Sequence, residues 1–150
     1  MINTGAIMTK ICVSACLAGC RCRYDGKTNE IPEIRKMTEE GTAVPVCPEV
    51  WGGLPVPRIP SERIGDHVIS REGIDVTEAY MKGSRLALET CLKEGCTAAV
   101  LKARSPACGH GKIYDGTFTK TLVNGNGTFA QMLEEHGIAV MTEEEFLNMD

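Results

Sequence analysis

The feature that most constrains this 150-residue chain is the alternation of short apolar segments with segments of helical periodicity. The apolar segments predict strands at 11–15, 43–47, 98–102 and 138–141, with a further short strand at 67–70. Apolar residues at helical spacing predict helices at 32–40, 76–94 and 128–136, and Thr142 is predicted to cap a last helix. Such alternation is typical of parallel sheets, so we expect a single α/β domain over 1–150. Its mostly parallel sheet of about four to five short strands should carry helices on both faces.

Two long stretches without clear periodicity interrupt this pattern. Residues 50–64 and 104–127 are rich in glycine or proline, and both are predicted to be loops. Loops of this length inside a compact domain are often functional segments. Residues 1–9, ahead of the first strand, are predicted to be a flexible N-terminal extension.

The charge and hydropathy of the chain exclude several classes of partner. A net charge of −4 argues against a broad basic surface for DNA, and an aromatic content of 5% is too low for a platform that stacks single-stranded bases. No apolar run approaches the roughly 20 residues of a membrane-spanning helix, and the first ten residues lack the order of a secretory signal. We therefore expect a cytoplasmic protein with neither DNA nor a membrane as partner. The sequence leaves the oligomeric state open.

Eight cysteines are the unusual part of the composition. Cytoplasmic thiols stay reduced, so these residues should be core side chains, metal ligands or nucleophiles rather than disulfides. Cys12, Cys91 and Cys96 lie in or beside predicted strands and a helix, which predicts core positions. Cys20 and Cys22 lie in a turn-rich segment, where their roles stay open.

Three further cysteines share one position in the predicted topology. Cys16, Cys47 and Cys108 each follow a predicted strand. The carboxyl ends of parallel strands meet at one edge of a sheet, which is where open α/β sheets bind ligands. Three thiols from distant parts of the chain at one edge indicate a metal site, and thiolates favour zinc, copper(I) or an iron–sulfur cluster.

The neighbours of these cysteines suggest additional chemistry. If the backbone is extended at Cys47-Pro48-Glu49, the thiol and the carboxylate share a face at roughly 6.6 Å, and Glu49 can reach a small molecule bound to a metal. Ser105 places a hydroxyl three residues before Cys108. His110 is expected to be an ordinary loop histidine rather than a ligand.

Several sequence blocks resemble those of one bacterial and archaeal family, long catalogued as a domain of unknown function, whose characterised members are thiouracil desulfidases. The resemblance covers almost the whole chain, in order. It is carried by Val13-Ser14-Ala15-Cys16-Leu17, Cys22-Arg23-Tyr24-Asp25-Gly26, Val46-Cys47-Pro48-Glu49-Val50, Gly52-Gly53-Leu54, Pro57-Arg58, Gly73-Ile74-Asp75-Val76-Thr77, Leu101-Lys102, Ser105-Pro106-Ala107-Cys108-Gly109 and Ile113-Tyr114-Asp115-Gly116.

This resemblance implies a cofactor, a reaction and a set of site residues. It implies a [4Fe-4S] cluster held by Cys16, Cys47 and Cys108, with one iron left without a protein ligand. It assigns the acid/base carboxylate to Glu49 and an active-site serine to Ser105. The implied reaction is a non-redox, hydrolytic desulfuration that converts thiouracil to uracil and sulfide. The expected ligand is a small thio-nucleobase or a related thio-compound.

Two other functions remain open from the residues alone. Four thiolates chosen from Cys16, Cys20, Cys22, Cys47 and Cys108 would close a zinc tetrahedron in a structural or regulatory protein that binds small ligands. A low-pKa cysteine with a resolving neighbour would instead suit a thiol-redox or sulfur-carrier protein.

Overall fold

The structure is a computed structural model that describes residues 9–149. The predicted N-terminal extension, 1–9, lies outside these residues except for Thr9. The strands are β1 (Ile11–Ser14), β2 (Ala43–Val46), β3 (Ser61–Ile64), β4 (His67–Ser70), β5 (Ala98–Leu101), β6 (Lys112–Tyr114), β7 (Leu122–Asn124) and β8 (Ala139–Thr142). The helices are α1 (Pro32–Glu39), α2 (Pro48–Trp51), α3 (Thr77–Lys93), α4 (Thr128–Glu135) and α5 (Glu143–Leu147), and a 3₁₀ turn spans Ala15–Ala18.

Four parallel strands form the central sheet, in the order β2-β1-β5-β8. Ile11 of β1 pairs with Ala43 on one side and with Ala98 on the other. Pro45 lies in β2 at the edge of this sheet, where a residue without an N–H is tolerated. The four strands predicted for the sheet are thus confirmed, as is the parallel α/β class.

Helices cover both faces of the central sheet, as predicted. On one face, Cys12 of β1 and Leu101 of β5 pack in a cluster with residues of α3 and α4, including the fully buried Phe129. On the other face, Val13 and Val100 pack with residues of α1 and α5. Successive residues of β1 and β5 therefore enter opposite cores, which explains why these strands are apolar throughout. Among residues 9–149, no helix has the length and apolarity needed to cross a membrane.

Two antiparallel hairpins stand where the sequence predicted only loops and one short strand. The strands β3 and β4 form one hairpin, and β6 and β7 form the other. Every residue of β7 is exposed, so this strand carries no apolar alternation by which a sequence pattern could reveal it. The buried carboxylate of Glu62 accepts hydrogen bonds from the backbone N–H groups of Gly116 and Phe118, at 2.9 and 3.1 Å, and so ties the second hairpin to the first.

The short helix α2 packs directly on the backbone of α3. A Cβ added to Gly83 would stand 1.6 Å from the carbonyl oxygen of Pro48, and one added to Gly52 would stand 2.0 Å from the carbonyl oxygen of Ala79. Glycine in a helix interior costs about 1 kcal/mol relative to alanine. The close approach of the two backbones explains why Gly83 occupies the middle of α3.

The strand order places a crevice at one edge of the sheet. From β1 the chain crosses to β2 on one side, and it later returns to β5 on the other side of β1. The order therefore reverses between β1 and β5, and ligands of open α/β sheets bind outside the carboxyl ends of the strands at such a point.

Candidate active site

A cavity of about 480 Å³ lies at the carboxyl ends of β1, β2 and β5. Cys16, Cys47 and Cys108 all line it, together with Cys22. The three cysteines that the sequence placed at this edge thus share one pocket. Each of them is at least nine-tenths buried.

Cys16 lies in the 3₁₀ turn that follows β1. The turn ends at Gly19, whose φ of 100° is a left-handed conformation that glycine adopts readily. The side-chain amide of Asn29 donates to Cys16 Sγ at 3.4 Å, and Thr28 Oγ1 donates to the carbonyl oxygen of Cys16 at 2.8 Å. Burial raises the pKa of the Cys16 thiol to about 11, against the opposing effect of the Asn29 hydrogen bond.

Cys47 lies between the end of β2 and the start of α2. A hydrogen bond from the Cys22 thiol lowers the pKa of Cys47 to about 7, and the Val50 backbone N–H and the Arg58 charge act in the same direction. The same hydrogen bond raises the pKa of Cys22. Cys47 therefore reaches the thiolate form more readily than the other thiols of the cavity.

Cys108 belongs to the loop that follows β5. Ser105 Oγ accepts hydrogen bonds from the backbone N–H groups of Ala107 and Cys108, at 3.1 and 3.0 Å, and so shapes the turn that carries this thiol. Burial raises the pKa of Cys108 well above its ordinary value, against a hydrogen bond from Ser14. Ser105 also lines the cavity.

Glu49 also lines the cavity, but the extended backbone considered for Cys47-Pro48-Glu49 does not reach this residue. Cys47 is extended, whereas Pro48 begins the helix α2, so Glu49 lies in the first helical turn. Proline favours the first helical position because its φ suits a helix and its missing N–H is not needed there. Glu49 reaches the cavity from a helix terminus, and its side chain is 21% exposed.

Both oxygens of the Glu49 carboxylate have partners. Arg58 Nη2 donates to Oε1 at 3.1 Å, and the hydroxyl of Tyr80 donates to Oε2. Arg58 belongs to the Pro57-Arg58 block of the family resemblance, whereas Tyr80 lies within the helix predicted at 76–94 and was not predicted to be a site residue. No local signal marked Tyr80, because it lies on the apolar stripe of α3 and is itself buried.

Several cationic residues that line the cavity have partners. Lys102 Nζ lies 2.9 Å from Glu143, and Arg104 lies 2.8 Å from Glu144. The guanidinium of Arg71 stands over the ring of Phe118, 5.6 Å from its centroid, and both side chains line the cavity. The two ion pairs join the segment after β5 to α5, and the Arg71–Phe118 contact joins the segment after β4 to the second hairpin.

His110 and Cys20 do not line the cavity. His110 pairs through Nε2 with Glu134 of α4 at 2.6 Å, which agrees with the expected loop histidine. Cys20 is exposed, whereas the other seven cysteines are buried. Cys12, Cys91 and Cys96 lie in the core cluster beneath α3, as predicted.

The arrangement of donors bears on the zinc alternative. Within residues 9–149, no three His, Cys, Asp or Glu side chains are grouped closely enough to hold a single metal ion. The thiols of Cys16, Cys47 and Cys108 instead stand at the ends of three different strands around one cavity.

The fold and the site define a doubly wound α/β protein with a thiol-lined ligand cavity at the point where its strand order reverses. The chain belongs to the 2-thiouracil desulfurase family, whose model matches residues 11–145. It is 39% identical over 145 residues to the uncharacterized protein YbbK of Bacillus subtilis (strain 168), covering 90% of this chain and 96% of YbbK. It is also similar to the solved structure of TudS, a [4Fe-4S]-dependent thiouracil desulfidase, with 45% identity, a TM-score of 0.88 and 93% of each chain covered. The family resemblance seen in the sequence is confirmed.

Proposed function

We propose that this protein is a [4Fe-4S]-dependent desulfidase that removes sulfur from a thiolated nucleobase such as thiouracil, giving uracil and sulfide. The observation that carries the proposal is the convergence of Cys16, Cys47 and Cys108 on one cavity with the carboxylate of Glu49. Membership of the family and the similarity to TudS support the same activity.

The donor set of the cavity suits an iron–sulfur cluster. Thiolates are the ligands that such clusters prefer, and each cysteine binds a different iron, so the sulfurs stand farther apart than around a single ion. This agrees with the lack of a three-ligand group for one ion within residues 9–149. Cys16, Cys47 and Cys108 would hold the cluster. When bound, it supplies an iron without a protein ligand, a soft Lewis acid for the sulfur of the substrate.

Glu49 is assigned the role of general base and acid. It would take a proton from the attacking water and return it to the departing sulfur, so that a C–S bond is replaced by a C–O bond and sulfide leaves as its protonated form. Water supplies every atom that the product gains, and no oxidant or reductant is consumed. Positioned acid–base catalysis of this kind is typically worth about 10²–10⁴-fold in rate.

Ser105 is assigned a role in orienting the substrate. Its Oγ already accepts two backbone N–H groups, which leaves the hydroxyl proton free to be donated into the cavity that Ser105 lines. That proton can be donated to a ring nitrogen or to an exocyclic oxygen of a nucleobase. We also assign the protein to the cytoplasm, because its thiols, all unpaired, would stay reduced there.

The experiment that tests the proposal is anaerobic reconstitution with iron and sulfide, followed by a sulfide-release assay on 2-thiouracil and 4-thiouracil. We expect a brown protein with about four irons per chain that releases sulfide and uracil in equal amounts. A colourless protein with stoichiometric zinc would contradict the proposal and support the zinc alternative. A metal-free protein that forms a persulfide would support the sulfur-carrier alternative.

A further inference from the structure

The donors that hold Glu49 come from two separate parts of the fold. Tyr80 lies in the first turn of α3 and is 1% exposed. Arg58 belongs to the segment between α2 and β3, and its side chain is 6% exposed. A carboxylate that faces a cavity while two buried donors hold its two oxygens has one strongly favoured orientation.

The two donors differ in how their own positions are held. The Arg58 guanidinium also donates to the carbonyl oxygens of Cys22 and Pro55, at 2.9 and 3.2 Å, so it supports several loops at once. Removing Arg58 would therefore disturb the backbone at Cys22, whose thiol donates to the proposed cluster ligand Cys47. Tyr80 is carried by a long helix, so its hydroxyl can be removed without that disturbance.

Tyr80 remains a hydrogen-bond donor over the working pH range. Burial and the negative charge of Glu49 raise the pKa of the Tyr80 phenol well above its ordinary value. The phenol therefore keeps its proton and donates it to Glu49 Oε2.

The packing of α2 on α3 brings Tyr80 to Glu49. Gly52 of the segment after α2 faces the carbonyl of Ala79, the residue before Tyr80, and Gly83 faces the carbonyl of Pro48, the residue before Glu49. No side chain separates the two backbones at either contact. The glycines thus set the distance between the helix that carries the carboxylate and the helix that carries the hydroxyl.

We infer that Tyr80 is a positioning residue for the reaction, and that it acts by fixing the orientation of the Glu49 carboxylate. The glycine contact between α2 and α3 sets the distance between the Tyr80 hydroxyl and that carboxylate. This inference rests on the proposed function. In the absence of the Tyr80 hydroxyl, Arg58 still holds Oε1, but the carboxylate can rotate about that contact. The orientation from which Glu49 takes and returns a proton is then populated less often.

The first test is Tyr80→Phe in the reconstituted enzyme. A hydrogen bond to a charged group supports an expected fall in kcat of about 10- to 100-fold, with KM within about twofold and with iron content and visible spectrum unchanged. In a Glu49→Gln background the same substitution should cost no further activity. Unchanged kcat in Tyr80→Phe, or an equal further loss in the Glu49→Gln background, would overturn the inference.

The matched control is Leu88→Ala, a buried residue of the same helix that lies in the core cluster. It should lower the midpoint of thermal unfolding at least as much as Tyr80→Phe while leaving kcat unchanged. If Leu88→Ala lowers kcat as much as Tyr80→Phe does, the effect is general destabilisation of α3 and the inference fails.

A second readout does not depend on turnover. The midpoints of thermal unfolding of the holoprotein are compared for Tyr80→Phe, Glu49→Gln and the double variant. We expect the double variant to lose clearly less than the sum of the two single losses, because each substitution alone already removes the charge-assisted hydrogen bond between the two side chains. Additive losses would show that the two side chains are not coupled. If the wild-type protein releases no sulfide, the proposed function fails, and this cycle still decides whether the contact exists.

Discussion

Two sets of buried cysteines in this molecule have similar exposure but differ in their position in the fold and in their surroundings. The edge cysteines, Cys16, Cys22, Cys47 and Cys108, line the cavity at the carboxyl end of the sheet. The core cysteines, Cys12, Cys91 and Cys96, lie in the apolar cluster beneath α3. Members of both sets are at least nine-tenths buried.

Their surroundings separate the two sets. The negative charge of Glu49 raises the pKa of both Cys16 and Cys47. The positive charge of Lys102 lowers the pKa of Cys16, and that of Arg58 lowers the pKa of Cys47. The thiols of Cys12 and Cys96 contact that of Cys91, and burial raises the pKa values of Cys12 and Cys96. Burial alone therefore does not distinguish a structural thiol from a candidate ligand. The distinguishing features are a cavity and charged side chains at the ends of parallel strands.

The largest effect that would test this comparison is the loss of an edge cysteine. Cys108→Ser should abolish iron binding after anaerobic reconstitution and reduce sulfide release to background, because oxygen is a poor substitute for a thiolate ligand of iron–sulfur clusters. Iron content and visible absorption are the measurements. A variant that retained four irons would remove Cys108 from the ligand set.

The next effect separates catalysis from cofactor binding within the edge region. Glu49→Gln should keep the iron and lower kcat by about 10²–10⁴-fold, because the amide neither takes nor returns a proton. Its matched control is Glu89→Gln, at an exposed position of α3, which should behave as the wild type. Full activity in Glu49→Gln would eliminate the assigned base.

A core cysteine should show the opposite pattern. Cys91 is completely buried, and Cys91→Ala should lower the free energy of unfolding by about 1–2 kcal/mol through the cavity that it leaves. Iron content and kcat per folded chain should not change. Chemical denaturation and iron analysis measure the two quantities, and loss of iron would end the distinction between the two sets.

The core cysteines also predict a dependence of stability on alkaline pH. The pKa of Cys96 is raised from 9.0 to about 12, chiefly by burial and next by Cys91. An acid whose pKa is raised by folding contributes its full stability below its unfolded pKa, and loses that stability as the pH rises from about 9 toward 12. The free energy of unfolding should therefore fall less steeply with pH over this range for Cys96→Ala than for the wild type. Identical slopes would mean that Cys96 is accessible to water in the folded protein.

The smallest effect is expected at the exposed cysteine. Cys20→Ser should change stability by no more than about 0.5 kcal/mol and leave iron content and kcat unchanged. Iron loss on this substitution would place Cys20 among the ligands.

The elements that could be predicted from the sequence are those with a local pattern. The strands of the central sheet and the helices α1, α3 and α4 each carry an apolar periodicity of their own, and Thr142 forms the capping box of α5 with Glu145. Of the two hairpins only β4 was predicted, because β7 is exposed throughout and β3 is stabilised in part by the buried, charged Glu62. A pattern of apolar residues does not reveal a strand of either kind.

In the candidate site, too, some features could be predicted from the sequence and others could not. Cys16, Cys47 and Cys108 could be predicted to meet, because the end of a parallel strand is a position that sequence alone can assign, and their roles as ligands remain a prediction. The extended geometry considered for Cys47-Pro48-Glu49 holds at Cys47 but not at Glu49, because Pro48 starts a helix.

The sequence by itself determined which residues reach the carboxyl edge of the sheet, since strand periodicity and strand ends are local properties. Only the tertiary structure decided which side chains from other parts of the chain contact the residues at that edge. Tyr80 meets Glu49 across 31 positions of the chain, and it does so because Gly52 and Gly83 let two helix backbones touch. Contacts between residues far apart in the sequence depend on how whole helices and strands pack, and no short stretch of sequence encodes that packing.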